Sequence, residues 1–353
     1  MRFSLLYSNM WLGKTNSMHT WRDRSMKKRI GLLFTAIMLI AVLVGCGSTV
    51  DHKVDEKSAA TQKSEASVAE KGWPRTFTDV EGNEIVMDKK PEKLISLWYS
   101  YPEFLVPLEE TPIGSTDGKF LASLAYLKDI EAMKAVADLG DKLAPNVEKI
   151  IELEPDIIFA TTNHQEIYDA LKKIAPVAVL DREAFLADWR LGVRTFGEIL
   201  GKEEKAESII KDITGKISAG REKLKNMDGE TIALIKTWDG KSYYIEGPKD
   251  SSYLYTFDTE KGLGLTPDPS FVKMAGEKVS LEGLSTIQAD HIFLEADISL
   301  NKSILEGLNN NSVWNSLKAV KNKNVYFLDI SAVTGGPLAT EYGVQTIVEA
   351  LSK

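Results

Sequence analysis

Beyond residue 73 the hydrophobic positions fall into short β-rich runs separated by stretches of helical spacing. Residues 94–98, 113–116, 156–161 and 177–181 read as the strands of a first lobe, and 231–238, 243–246, 291–295 and 325–330 as those of a second. Alternation of this kind predicts βαβ units and an α/β fold. Between the two sets no strand signal appears. Residues 183–200 predict one helix stopped by Gly201, and 202–226 a second, with Ala206, Ile209, Ile210, Ile213 and Ile217 at helical spacing. Gly215 and Gly220 oppose the second helix, each costing about 1 kcal/mol relative to Ala. Unbroken, its 25 residues would span about 37 Å, a strut long enough to join two lobes. The expected layout is a first lobe over 73–182, connecting helices over 183–227 and a second lobe over 228–353.

An internal repeat supports two similar halves. VEKIIELEPDIIF at 147–159 matches LEGLSTIQADHIF at 281–293, and each places a Glu eight residues before an Asp that opens a strand. Asn146 and Ser280 stand one residue ahead of each segment as helix N-caps, which puts Glu148 and Glu282 in first helical turns. A carboxylate there is worth about 0.3 to 1 kcal/mol on its own. One such Glu would be unremarkable, but a matched pair marks equivalent positions on the two halves.

Lys27, Lys28 and Arg29 precede an apolar run over 30–44 that closes on Gly45 and Cys46. The run is 15 residues long, short of the roughly 20 that a helix needs to span hydrocarbon, so it predicts a cleaved signal peptide. Leu43-Val44-Gly45-Cys46 is similar to a bacterial lipobox, which implies lipidation of the Cys46 sulfur and cleavage before it. Met26 is the expected start, with residues 1–25 an upstream extension. Residues 46–72 are polar and lack aromatics up to Lys71, which predicts a disordered tether with a reach of roughly 30 Å.

Cys46 is the chain's one cysteine, so neither a disulfide nor a cysteine-ligated metal is available. Removing the seven basic residues and one acidic residue before Cys46 leaves 36 basic against 50 acidic side chains, a formal charge of −14. That disfavours nucleic acid as a partner while leaving room for a local basic pocket. Of four His, His19 precedes Cys46 and His52 lies in the tether, so a bare metal site is not expected. There is no Gly-x-Ser-x-Gly, His-Glu-x-x-His or Gly-rich phosphate loop, which argues against an enzyme.

Several segments together carry a family likeness. They are Leu94-Ile95-Ser96-Leu97 with Thr111-Pro112-Ile113-Gly114, Leu139-Gly140 with Asn146-Val147-Glu148, Glu154-Pro155-Asp156-Ile157-Ile158, Ile174-Ala175-Pro176-Val177, Gly197 through Lys202, and Trp314 through Leu317 with Val325-Tyr326. The chain resembles the siderophore-type substrate-binding proteins of ABC importers, a class that includes cobalamin-binding relatives. The resemblance implies two Rossmann-like lobes joined by a long rigid helix, the class III periplasmic-binding-protein architecture. It also implies that Glu148 and Glu282, one on each lobe, meet arginines of a membrane permease, a charge-assisted and geometrically selective contact.

Ligands of doubly wound sheets bind beyond the carboxyl ends of the strands. Those ends predict a cleft lined by Trp98, Tyr99, Tyr101, Lys119, His164, Arg182, Trp238 and Lys249. Aromatic faces and cations suit a bulky, oxygen-rich chelate. Trp98 and Trp238 have the alternative of core packing, and Lys119 and Lys249 that of solvated surface. The expectation is a monomeric, non-enzymatic receptor without a cofactor, lipid-anchored outside the membrane of a Gram-positive bacterium. Its cargo would be a ferric siderophore of hydroxamate, catecholate or citrate type. Cobalamin or haem is the alternative cargo, and a surface hydrolase or an adhesin is the remote alternative class.

Overall fold

The strand Leu94–Ser96 is fully buried and is the middle of a five-stranded sheet in the order 137–138, 114–115, 94–96, 157–160, 177–179, every pairing parallel. The computed structural model describes residues 72–227, 229–297 and 301–352. Cys46, the signal peptide, the Met26 start and most of the tether lie outside them. A second, six-stranded sheet runs 278–280, 242–245, 231–237, 291–296, 325–329, with Thr266–Pro267 also paired to Thr231–Thr237. Its last three strands in that order are parallel, but Ser242–Ile245 folds back antiparallel on Thr231–Thr237. The reversal follows from a tight turn in which Asp239 accepts the N–H groups of Lys241 and Ser242. So the second sheet is mixed, where alternation alone predicts a parallel one. The eight predicted strands all form, each within a residue or two of its expected bounds.

The repeated Asp residues do the same job in both sheets. Asp156 Oδ2 accepts the N–H groups of Glu92 and Lys93, and Asp290 Oδ2 accepts the N–H and hydroxyl of Thr231. Each carboxylate thus fixes the start of the neighbouring central strand. Both carboxyls are held below their ordinary range; burial opposes this, and the hydrogen bonds and nearby Lys side chains outweigh it.

The connection differs from expectation at one point. The helix predicted over 183–200 is two helices, Arg182–Ala187 and Trp189–Leu200, parted at Asp188, whose backbone is extended. Asp188 caps the second by accepting Arg190 N–H, and its carboxylate is bound by Arg190 and by Lys261 from beyond the second sheet's first hairpin. An apolar spacing that runs unbroken through Phe185, Trp189 and Val193 hides the break. Glu203–Lys223 is one continuous helix of 21 residues, about 31 Å long, burying Ala206, Ile210, Ile213, Ile217 and Gly220. Its start packs on Trp189–Leu200, with Lys202 and Lys205 paired to Glu110 and Glu109 near the first sheet. Its end packs on Pro337–Leu351 of the second half, and Arg221 donates to the Gly262 carbonyl. Gly220 permits that approach: a Cβ there would lie 2.8 Å from both Leu263 and Val348 side chains.

Candidate functional site

The residues after Leu94–Ser96 divide by depth. The Trp98 and Tyr99 rings lie 5.3 Å apart, with Arg182 4.9 Å from the Trp98 ring centre. Lys142 Nζ lies 5.8 and 5.5 Å from the two rings, and 3.3 Å from Asp117. Cations over ring faces are held by the quadrupole as well as by their carboxylates. Burial pushes the Tyr99 hydroxyl up to about 12 against the opposing pull of Arg182, and it also feels Lys236 of the other sheet. Tyr99 is half-buried and meets the Phe120 ring edge-on at 5.1 Å.

Lys236 anchors the second side. It sits opposite Glu295 and Tyr244 in the strand register, so all three share a sheet face, and its ammonium pairs with Glu246 and lies 3.7 Å from Glu295. Its Nζ is 5.5 Å from the Tyr244 ring centre and 6.0 Å from that of half-buried Trp238. Glu246 and Glu295 are fully buried, and burial raises both carboxyls, with mutual repulsion adding to the shift at Glu246. Two buried acids that share one Lys are harder to ionise together than either is alone.

Of the eight expected cleft residues, Trp98, Tyr99 and Arg182 come together, with Trp98 buried in the core as its alternative had it, and Trp238 stands over Lys236. Lys119 and Lys249 are exposed. Tyr101 is a correction: it is fully buried, donates to the Ala160 carbonyl at 3.3 Å, and packs on Phe185 and Phe196. The chain turns into a short helix, Pro102–Leu105, and carries its ring inward. His164 is a second correction. It is buried, its Nδ1 accepts Thr161 N–H at 3.0 Å, and its Nε2 donates to the Lys142 carbonyl at 2.7 Å. Burial lowers its pKa, so it is a neutral brace for the loop that carries Lys142.

Residues missed by sequence reasoning are Lys142, Lys236, Glu246, Glu295 and Glu103. The signal for three of them was a charge inside an otherwise apolar strand run, as in LIKTW, YYIEG and IFLEA. Glu103 is fully buried, and its Oε2 accepts Ala339 N–H at 3.2 Å at the start of Pro337–Leu351. Beside it Tyr126 and Thr334 hydroxyls meet at 2.8 Å, and Ala125 N–H donates to Ser331 at 2.9 Å. These contacts form a polar seam between the two halves.

Glu148 and Glu282 are both exposed. Asn146 caps Val147–Leu153 as expected, accepting Lys149 N–H. Ser280 does not cap a helix; it ends a strand, and its hydroxyl donates to Glu282 at 2.7 Å, holding that carboxyl below its usual range. The turn that follows, Glu282–Thr286, is a tight three-residue-per-turn helix.

The periplasmic binding protein family profile matches residues 95–332, a stretch that takes in strands of both sheets. The chain belongs to the periplasmic binding protein family. Members of that family are binding proteins and not enzymes, in keeping with the missing nucleophile motifs. The iron(3+)-hydroxamate-binding protein FhuD of Bacillus subtilis is 27% identical over 333 residues, covering 92% of this chain and 98% of its own. The Fe(3+)-citrate-binding protein YfmC of the same organism is 28% identical over 306 residues, covering 86% and 90%. The crystal structure of the triscatecholate siderophore binding protein FeuA from Bacillus subtilis, complexed with ferri-bacillibactin, superposes with a TM-score of 0.63 at 25% identity, over 78% of this chain and 98% of FeuA. Three ligand chemistries at nearly equal identity do not select one. The class III periplasmic binding protein architecture of these structures is the architecture of this chain.

Proposed function

We propose that this chain is the extracytoplasmic substrate-binding lipoprotein of an ABC importer, which captures a ferric siderophore between its two halves and delivers it to a membrane permease. The observation that carries the reading is the pair of aromatic and cationic banks at the strand ends of the two sheets, Trp98, Tyr99, Arg182 and Lys142 on the first and Lys236, Trp238 and Tyr244 on the second. Such surfaces accept a bulky organic scaffold studded with oxygens. Among the described residues no cluster of His, Cys, Asp and Glu could hold a metal ion, so iron would arrive wrapped in its chelator. Relatives named as hydroxamate-binding, citrate-binding and probable siderophore-binding proteins support the same reading. Cys46 would carry the lipid anchor, and the exposed Glu148 and Glu282 would meet the permease.

Tryptophan-fluorescence titration of the purified full chain against ferric hydroxamate, catecholate and citrate chelates, haem and cobalamin tests the proposal. One saturable quench by a ferric chelate is the expected result. Saturation by haem or cobalamin alone would reject it.

A further inference from the structure

Every buried or half-buried cation of the two banks already faces a carboxylate. Lys142 has Asp117 at 3.3 Å and Lys236 has Glu246, with Glu295 at 3.7 Å, while Arg182 has only the exposed Glu183 at 3.4 Å. Rings lie beside these pairs, of buried Trp98 and half-buried Tyr99 on one side and of half-buried Trp238 and Tyr244 on the other. Lys119 and Lys249 are exposed, where solvent and salt screen them.

A ferric complex can present two very different charges to such a cleft. Three hydroxamates lose one proton each and cancel the charge of the ion; three catecholates lose two each and leave the complex triply negative. Moving a triply negative ion out of water requires cations that are not already balanced. The two banks supply half-buried rings and little unbalanced charge.

We infer that the cargo is a ferric complex neutralised by its own ligands, of the trihydroxamate class, and not a tris-catecholate or citrate complex. This rests on the siderophore reading above. Asp117 is the specificity-determining residue that is simplest to test. It holds Lys142 back from an incoming anion, and its backbone is left-handed (φ 53), a conformation that Asn adopts readily. Asp117→Asn therefore frees the cation without demanding a new fold.

The experiment titrates the full chain and Asp117→Asn with a neutral ferric trihydroxamate, ferric enterobactin as the triply negative tris-catecholate, ferric citrate, haem and cobalamin. The unaltered chain should prefer the trihydroxamate. In the variant, affinity for the tris-catecholate relative to the trihydroxamate should rise about tenfold or more, as expected for one unbalanced cation a few ångström from an anion. Tighter binding of the tris-catecholate or citrate complex by the unaltered chain overturns the inference and leaves the siderophore reading standing. A trihydroxamate preference that Asp117→Asn does not move also overturns it, since charge balance would then not be its cause. Binding of haem or cobalamin with no ferric chelate removes the siderophore reading and the inference with it.

Discussion

The carboxylate of Glu103, which follows the first sheet's central strand, receives the backbone N–H of Ala339 at 3.2 Å, on a helix packed against the second sheet. The N-cap of that helix is Gly336, which has no side chain to cap it, and Pro337 is its first residue. Gly336 has no space for a Cβ, which would lie 2.5 Å from Glu103 Oε2. One half of the molecule therefore supplies a hydrogen-bond acceptor to the first turn of a helix of the other half.

Burial raises the Glu103 carboxyl from 4.5 to about 8, against opposing hydrogen bonds from Thr334, Ala339 and Tyr126. Between those values the folded chain keeps a proton that the unfolded chain releases. Its contribution to stability is complete below about pH 4.5 and is lost as pH climbs through about 8. Glu103→Gln carries no titrating proton. The stability difference between the original chain and this variant should drift across that window by on the order of a few kcal/mol, the original losing ground as pH rises. Urea titrations at a series of pH values measure it, and a constant difference would contradict the assignment.

Two glycines of the helix Glu203–Lys223 should respond in opposite directions. Nothing lies within 4 Å of a Cβ at Gly215, so Gly215→Ala should stabilise by about 0.5 to 1 kcal/mol through helix propensity. Gly220→Ala meets Leu263 and Val348 and should destabilise by about 1 to 3 kcal/mol. Denaturant midpoints of the two variants decide the matter.

Lys236→Met leaves Glu246 and Glu295 buried without their cation, at a cost of about 3 to 5 kcal/mol. Adding Glu246→Gln and Glu295→Gln to it should recover much of that loss. If the single variant unfolds at the same urea concentration as the original chain, the trio does not hold its charges as described.

The strand pattern was readable in the sequence because both central strands are buried and continuously apolar, as at Leu94-Ile95 and Ile232 through Ile235. The strut was readable too, since Ala206, Ile210, Ile213 and Ile217 keep one face. What escaped notice depends on depth and on partners distant along the chain. Tyr101 and Tyr99 both follow the same strand and look alike on paper, yet a tight turn sends one inward and leaves the other at the cleft. Lys142 sits in a hairpin, Gly140 to Pro145, whose approach to Trp98 depends on a brace from His164 that no local pattern announces. Asp188 did carry a local signal, an acid just before Trp189, but the apolar spacing around it masked the break.

Replacing Glu148 and Glu282 together by Ala should abolish uptake of the chelate by cells while leaving its affinity for the purified chain intact. Both side chains are exposed. Radiolabelled iron uptake beside fluorescence titration separates the two roles. Weakened binding in the double variant would move these acids into the cleft.

The helix Glu203–Lys223 is fastened near both ends, by Lys202 and Lys205 on one side and Arg221 on the other. A connector so restrained surrenders its conformational freedom when the chain folds and has little left to lose at capture. Contacts with the proposed cargo would then appear chiefly as long residence. In the proposed receptor, letting go would then fall to the transporter, and would not be something the receptor accomplishes by relaxing.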